Sequence, residues 1–418
     1  MKIVIVGGGF AGLNLAKSLL NLADIQVTLV DKNNYNFFPP LIYQVATAFL
    51  EPSSISYPFR KFFAGKKNLD FRLGELQKVV LSENKIILNN GELSYDQLVF
   101  ATGAETSYFG MTNVMNNSIP MKTLNDAIEM RNILLKNLEK ATITKDIRER
   151  RKLLTIVVAG GGPTGVEVSG MLAEMRKSIL LKEYPELETS ASNIYLVDGS
   201  SALLSPMSED SQKETLEELT KLGVVVKLNT RVVDYIDDKV IFSDGNSIQT
   251  KNLIWAAGVV AKVFEGIPIA SYGPGKRLLT DEFNKVLNTE NVFAIGDTCY
   301  QISDLNFPKG HPQVAQVAIQ QGCNLAKNFK FLLKKQSLIS FKYNDKGSMA
   351  IIGRNKAVVD LPKPKLHFKG FFAWLIWLFV HLISLITYRN RLQTFFNWMV
   401  AYFSKDQSLR MIIRPDKK

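Results

Sequence analysis

An α/β protein made of two copies of one strand–turn–helix unit, closed by an apolar helical tail, is what this sequence predicts. Three observations predict it. First, the β-branched run Lys2-Ile3-Val4-Ile5-Val6 breaks into Gly7-Gly8-Gly9-Phe10-Ala11-Gly12, and a helical pattern follows from Leu13 through Ala16, Leu19 and Leu20. Second, the order recurs: the buried run Leu154–Ala159, then Gly160-Gly161-Gly162-Pro163-Thr164-Gly165, then a helix from Val166 to about Leu181. Third, Phe371–Thr387 is the most apolar stretch of the chain. Strand, G-x-G-x-x-G and helix in that order are the context of a dinucleotide fingerprint. The expected architecture is therefore two Rossmann-like dinucleotide-binding domains plus a C-terminal amphipathic helical membrane anchor.

Each fingerprint has a physical reading. Gly7 permits the tight turn, Gly9 lets the backbone approach a pyrophosphate, and Gly12 lets helix and strand pack closely. Free N–H groups at the helix start then meet the phosphate charge. The strand Gln26–Val30 ends in Asp31, nineteen residues past Gly12, where a carboxylate meets a ribose hydroxyl. In the second copy Asn193–Val197 carries Asp198 at its end, after an apparent insertion at Lys182–Ser192. Both copies keep every glycine and an acid, so two bound dinucleotides are expected.

Bulk properties narrow the class. With 418 residues, 46% apolar and 22% charged, the chain is globular and too long for one ordinary core. A net charge of +12 suggests an anionic partner. Basic residues are scattered without an aromatic-interleaved run, which favours an acidic phospholipid membrane surface over nucleic acid. The first strand begins at residue 2, so no signal peptide is expected and the active face is expected to be cytoplasmic. Cys299 and Cys323 form no C-x-x-C pair, which argues against a dithiol centre or a structural zinc.

Between the fingerprints, Asn36–Ala46 holds Pro39-Pro40 and reads as an ordered apolar loop, either core packing or the wall of an aromatic ring system. Ser53–Phe63 reads as a short helix and connection, and Phe71–Leu88 as strands turning at Ser82-Glu83-Asn84. Leu98–Ala104 is a buried strand ending in small residues, and Leu253–Gly258 is its analogue in the second half. Thr123–Lys152 reads as an amphipathic helix with a charged connection. Asn291–Ile295 is a further strand, ending in Gly296-Asp297, whose carboxylate either binds a polyhydroxy chain or caps a helix. His311–Gly322 is expected to open a helix with Pro312 in its first turn. Gln316 and Gln320, four apart, share a face and either line a pocket or are solvated.

The tail admits three readings. At 1.5 Å per residue Phe371–Thr387 rises about 26 Å against about 30 Å of hydrocarbon, short for a span. A second apolar stripe runs through Leu392, Phe395, Phe396, Met399, Val400 and Phe403, flanked by Arg389, Arg391, Lys405, Arg410, Arg414, Lys417 and Lys418. A transmembrane helix, ordinary core or dimer helices, and a monotopic anchor compete, and the basic flanks fit the anchor best.

Taken together, these residues resemble the type II NADH:quinone oxidoreductases, single-subunit flavoproteins. The resemblance is carried over essentially the whole chain by both fingerprints, the Phe38–Ala46 loop, Ala101-Thr102-Gly103, Val292–Asp297, Lys346–Arg354 and the Trp-rich tail. Ala315-Gln316-x-Ala318-x-Gln320-x-Gly322 is its most specific element. It implies FAD, held non-covalently at Gly7, Gly9, Phe10, Ala11, Gly12, Asp31, Lys32, Leu76, Thr102, Gly103, Asp297 and Ala315. It implies NADH at Gly160, Gly162, Gly165, Asp198, Ala257 and Gly258, and a membrane quinone at Gln316, Gln320 and Gln44. Glu167 matches the family's acidic residue near nicotinamide and flavin, its plain alternative being a glutamate favoured by the helix dipole. Asp198 repels a 2′-phosphate and Gly199-Ser200-Ser201 supply no arginine, so NADH is expected over NADPH.

The activity implied is hydride transfer from NADH to FAD and two electrons onward to quinone, without proton pumping, by a peripheral homodimer on the cytoplasmic face of the inner membrane. Its rivals are a sulfide:quinone oxidoreductase, which needs paired reactive cysteines, a ferredoxin- or rubredoxin-type reductase, and a membrane-tethered NAD(H)-binding redox sensor. The expected domains are residues 1–112 with 290–345 for FAD, 113–289 for NADH, and 346–418 for the anchor.

Overall fold

A computed structural model of the chain describes residues 1–187, 193–404 and 409–413. The chain falls into two compact units. The first comprises Met1–Phe37, Tyr57–Glu105 and Val259–Asp345, the second Phe38–Ser56, Thr106–Gly258 and Lys346–Lys418. These boundaries differ from the expected ones. Residues 259–289 add to the first unit because Leu278–Thr280 pairs in parallel with Cys299–Gln301 and Lys285 bridges Phe293. The 38–56 loop and the tail both join the second unit.

Each unit is organised around its fingerprint strand. In the first, the parallel order is Val292–Ala294, Gln97–Phe100, Lys2–Val6, Gln26–Asp31 and Leu69–Leu73. In the second it is Ile119–Pro120, Asn252–Trp255, Ile156–Ala159, Ile194–Val197 and Val224–Lys227. The strands are apolar on both faces because helices and a second sheet cover them, as parallel sheets require. Val4, Val6, Leu98, Phe100 and Val292 supply one core, and Val157, Ala159, Val197, Leu253 and Trp255 the other. Each unit also carries a three-stranded antiparallel sheet, Leu76–Val80 with Lys85–Leu88 and Gly91–Ser94 in one, Val232–Ile236 with Lys239–Phe242 and Ser247–Gln249 in the other. The duplication therefore extends well beyond the glycines.

Helix starts differ from the sequence reading. The fingerprint helices are Phe10–Ser18 and Pro163–Met175, each beginning three residues earlier than expected. Gly12 and Gly165 thus lie within the first turn rather than before it, since only a helical backbone brings them against Gly7 and Gly160. The 123–152 stretch is two helices, Leu124–Ile143 and Ile147–Leu154. Thr123 and Asp126 form a capping box at the start of the first. The break falls at extended Thr144, whose carbonyl accepts from Arg150, while Asp146 caps the second helix.

The tail opens with an antiparallel sheet, Ser348–Gly353, Lys356–Pro362 and Lys365–Lys369, and continues as helices Gly370–Ser384 and Tyr388–Ser404. Its first helix has 15 residues, and extended Leu385 ends it. Among the described residues no helix is long and apolar enough to cross a membrane, which removes the transmembrane reading. Of the basic flank, Lys405, Arg414, Lys417 and Lys418 lie outside the described residues, as do residues 188–192 of the insertion.

The sheet at the head of the tail lies directly on the second fingerprint helix. A Cβ added at Gly170 would stand 1.7 Å from the Ile352 carbonyl oxygen, a backbone atom with nowhere to move. Gly170→Ala is expected to lower unfolding free energy by about 2 kcal/mol or more, measured by thermal or denaturant unfolding. A variant as stable as wild type would contradict this packing.

Candidate functional site

The two glycine turns have nearly the same geometry. Gly7 adopts φ +106 and Gly160 φ +113, a region that favours glycine. A Cβ at either would come within 2.4 Å of a carbonyl oxygen, that of Ala101 or Ala256 respectively. A Cβ at Gly12 or Gly165 would meet the carbonyl oxygen of Gly7 or Gly160 at 1.9 and 1.8 Å. At Gly9 and Gly162, the residues preceding the helices, a Cβ would meet nothing within 4 Å. No side-chain hydrogen bond caps either helix start.

The acids also correspond. Asp31 accepts from the Gly8 and Asn33 N–H groups at 2.7 Å each, and burial raises its pKa from its ordinary value while those two donors pull it back. Asp198 accepts from the Gly161 N–H and from the Ser200 N–H at 2.6 Å. Each thus ties the loop after its strand to its own glycine turn. Neighbours not evident from the sequence complete the turns. The Asn36 amide donates to the Gly8 carbonyl at 2.7 Å, and the Phe59 ring fills the place of a Gly8 side chain. In the second unit Leu203 lies over Gly161. Arg231 lies across Gly199, with its Nε 2.8 Å from an added Cβ. Gly199-Ser200-Ser201 supply no arginine, as the sequence shows, but the fold brings Arg231, just before the strand Val232–Ile236, against Gly199.

Glu167, in the first turns of the helix Pro163–Met175, is buried in the second unit. Among the described residues its close donor is the Ile351 N–H, at a long 3.5 Å. Burial dominates and raises its pKa well above its ordinary value, favouring the neutral acid. Ile351 and, more weakly, the Trp377 indole oppose this; the indole nitrogen lies outside hydrogen-bonding geometry.

Trp377 is itself fully buried, stacked on His381 at 3.8 Å and edge-on to Tyr43 at 6.5 Å. Burial pushes the His381 pKa down to about 4, so the ring is neutral. Gln44 accepts from the Trp398 indole at 2.8 Å and donates to the Tyr43 hydroxyl at 3.0 Å. The aromatic loop, the fingerprint helix and the tail thus share one buried cluster.

In the first unit the last long helix starts at Ala315, not at His311. Val314 is extended, and Pro312 precedes the helix instead of opening it. The segment is held out by the Gln313 amide on the Asp297 carbonyl at 3.0 Å and by His311 on Asp304 at 3.1 Å. Gln320 is half-exposed and tied to one neighbour: its amide donates to the Asn344 carbonyl at 2.9 Å and accepts the Asn344 N–H at 3.0 Å. Gln316 accepts from Tyr343 at 3.5 Å. Gln321, which the sequence reading passed over, takes the Gly296 N–H at 2.7 Å. Its signal was its place before Gly322, where an added Cβ would meet the Ala11 carbonyl oxygen at 2.5 Å.

Comparison with known proteins adds the family. Residues 1–322 match the family described as pyridine nucleotide-disulphide oxidoreductase, and residues 346–411 match the NDH2 C-terminal domain. The type II NADH:quinone oxidoreductase NdhA of Mycobacterium tuberculosis is 35% identical, over 97% of this chain and 87% of its own. The chain belongs to the type II NADH:quinone oxidoreductases. A second M. tuberculosis member, Ndh, is 32% identical over 96% of this chain and 88% of its own. The NDH2 structure from Plasmodium falciparum in complex with NADH shares the fold at a TM-score of 0.90, with 23% identity and 99% of each chain covered.

FAD is the cofactor of a type II NADH:quinone oxidoreductase, and the first unit has features that fit it. Beside the open space at Gly9, the Thr102 and Thr298 hydroxyls are buried without a hydrogen-bond partner, as groups awaiting a ligand would be. The cysteines do not suit sulfide chemistry. Both are free, and complete burial raises the Cys299 thiol pKa, so it is a poor nucleophile.

These two glycine environments separate binding from folding. Gly9→Val is expected to fold with wild-type stability in the apo form yet lose FAD, read as loss of yellow absorbance. Gly12→Val is expected to lower apo stability as well. FAD retained at full occupancy in Gly9→Val would contradict the assignment.

Proposed function

We propose that this type II NADH:quinone oxidoreductase oxidises NADH at the second fingerprint and reduces a membrane quinone through FAD held at the first, without pumping protons. The observation that carries this reading is the pair of equivalent glycine turns, each running into a helix without a side-chain cap and with open space at Gly9 and Gly162, in one chain with an NDH2-type tail. FAD supplies the chemistry that accepts hydride and releases two electrons. Gly7, Gly9, Phe10, Ala11 and Gly12 take its pyrophosphate, and Asp31 with Lys32 its adenosine ribose. Leu76, Thr102, Gly103, Asp297 and the helix start at Ala315 take the remainder. Gly160, Gly162, Gly165, Asp198, Ala257 and Gly258 hold NADH. Asp198 favours NADH over NADPH, and Arg231 beside it sets how strong that preference is.

Quinone reduction consumes two protons, and Glu167 is the buried acid we assign to hold one. Gln44 is fixed by Trp398 and Tyr43, so it contributes to the quinone side as a rigid wall. Gln316 and Gln320 act as positioning residues that fasten the 343–345 segment to their helix. Steady-state NADH oxidation with a short-chain quinone tests the reading; a purified, FAD-loaded protein with no turnover leaves the redox-sensor alternative. Glu167→Gln is expected to lower quinone turnover by about a hundredfold while FAD stays bound.

Its linkage has a definite sign. A raised folded-state pKa gives stability that is complete below the ordinary carboxyl pKa and is lost as pH rises towards the raised value. Unfolding free energy of wild type minus that of Glu167→Gln should therefore fall with pH across that window. A flat difference would show Glu167 ionised.

The tail supports peripheral attachment to the cytoplasmic face of the inner membrane. Phe371, Phe372, Leu375, Phe379 and Ile383 form one exposed stripe, and Leu392, Phe396, Val400 and Phe403 another. The opposite faces carry Ala373, Trp377 and Trp398, which are buried. These helices are thus core on one side and apolar surface on the other, which is the monotopic pattern. The resemblance alone leads us to propose a homodimer. Replacing Phe372, Phe379, Phe396 and Phe403 together by Ser should weaken co-sedimentation with anionic vesicles by about a hundredfold or more and leave NADH–ferricyanide turnover unchanged. Undiminished sedimentation would contradict the anchor.

A further inference from the structure

Helix Leu124–Ile143 carries Arg131, only 3% exposed, into a cleft of the second unit. The cleft walls are apolar: Leu134, Leu138, Leu153, Leu172, Met175 and Leu180. The enclosed part of the cleft is small, about 60 Å³, and it widens into an open apolar mouth that brings the total non-atom space to about 660 Å³, solvent included, so a chain would run outward along the mouth. Arg131 Nε and one of its Nη atoms are buried with no hydrogen-bond partner. Glu51 acts on the guanidinium through space only, and its exposed carboxylate takes the Ser53 hydroxyl at 3.2 Å. The other polar groups of the cleft are occupied. Thr47 Oγ1 donates to the Tyr43 carbonyl at 2.8 Å, and the Asn252 amide donates to the Leu153 and Thr155 carbonyls. A buried cation left unpaired costs several kcal/mol, so an anion is what this position lacks.

The shape and charge specify that anion. A planar guanidinium matches the two oxygens of a carboxylate; the second guanidinium on the lining, Arg176, is engaged by the Leu222 and Gly223 carbonyls, and the mostly apolar walls match an alkyl chain. The cleft is also framed by elements that bear the exposed apolar tail. Asn132, next to Arg131, accepts the Ile413 N–H at 3.1 Å, just past the last tail helix. Ala46 and Thr47 continue the short helix whose Gln44 holds Trp398. We propose that this cleft binds a single-chain fatty acid drawn from the membrane, its carboxylate paired with Arg131 and its chain along the leucine walls.

The test uses full-length, FAD-loaded protein in a non-ionic detergent, with unfolding followed by flavin release. Laurate is expected to raise the midpoint by about 3 °C or more, and dodecanol and acetate by less than about 1 °C. In Arg131→Met the laurate shift is expected to vanish, with affinity down about tenfold or more. That variant removes an unpaired buried charge, so its ligand-free midpoint should not fall. Arg131→Lys, which keeps the charge without the fork, should give an intermediate shift and serves if the Met variant does not fold. Solvent extraction of the purified wild type should yield fatty acid, and of Arg131→Met none. Equal shifts with laurate and dodecanol, or an undiminished laurate shift in Arg131→Met, overturns the proposal. A larger shift with a lysophospholipid than with laurate overturns the carboxylate assignment, and a short-chain quinone that competes with laurate assigns the cleft to quinone instead. NADH turnover is not the readout, so failure here leaves the enzymatic reading standing.

Discussion

The second unit depends on the burial of Trp377. Its indole is enclosed by Tyr43 from the aromatic loop, Trp398 from the last helix and His381 from its own helix. Truncating a buried tryptophan costs about 3–5 kcal/mol, enough to decide whether loop and tail hold together. Around it the remaining contacts follow. Asn390 gives its amide to the carbonyls of Ser53, Ser54 and Ser56, and Trp398 gives its indole N–H to Gln44. The loop between Phe38 and Ser56 has little regular structure of its own, only short helical turns. It is ordered because the tail supplies partners for its backbone.

The same cluster explains the state of Glu167. A carboxyl group at this place in a fingerprint helix would ordinarily be solvated and charged. Here apolar burial dominates, and the Ile351 N–H and, more weakly, the Trp377 indole oppose it. The tail, the aromatic loop and the buried acid are therefore one packing problem. The tail's inner face sets the environment in which a proton is held, while its outer face meets solvent or lipid.

How much of this was legible in the sequence follows from how local each cause is. The glycine turns could be read because strand, turn and helix are contiguous, and each glycine answers to a backbone atom a few residues away. The paired acids could be read because their distance from the turn is set by one helix. Helix starts were read three residues late because hydrophobic periodicity marks the buried face, whereas Gly9 and Gly162 mark the cap. The start at Ala315 was misplaced because proline permits a helix at 312 without compelling one, and His311 and Gln313 are claimed by Asp304 and Asp297. The partners of Gln44, Gln316 and Gln320 lie far along the chain, at Trp398, Tyr343 and Asn344, and so were not legible. Arg231 and Arg131 were invisible, since only tertiary structure brings one to Gly199 and leaves the other unpaired among leucines.

Gly170 has a consequence for how such chains diversify. Where a helix backbone rests on a strand backbone with no side chain between, the two cannot be exchanged independently. The region after Lys346 therefore does not behave as a detachable module, even though it matches a separate family description. Grafting it onto another nucleotide-binding scaffold would demand a glycine at the corresponding step of the recipient's helix. Lineages that lose that glycine must rebuild the tail sheet along with it.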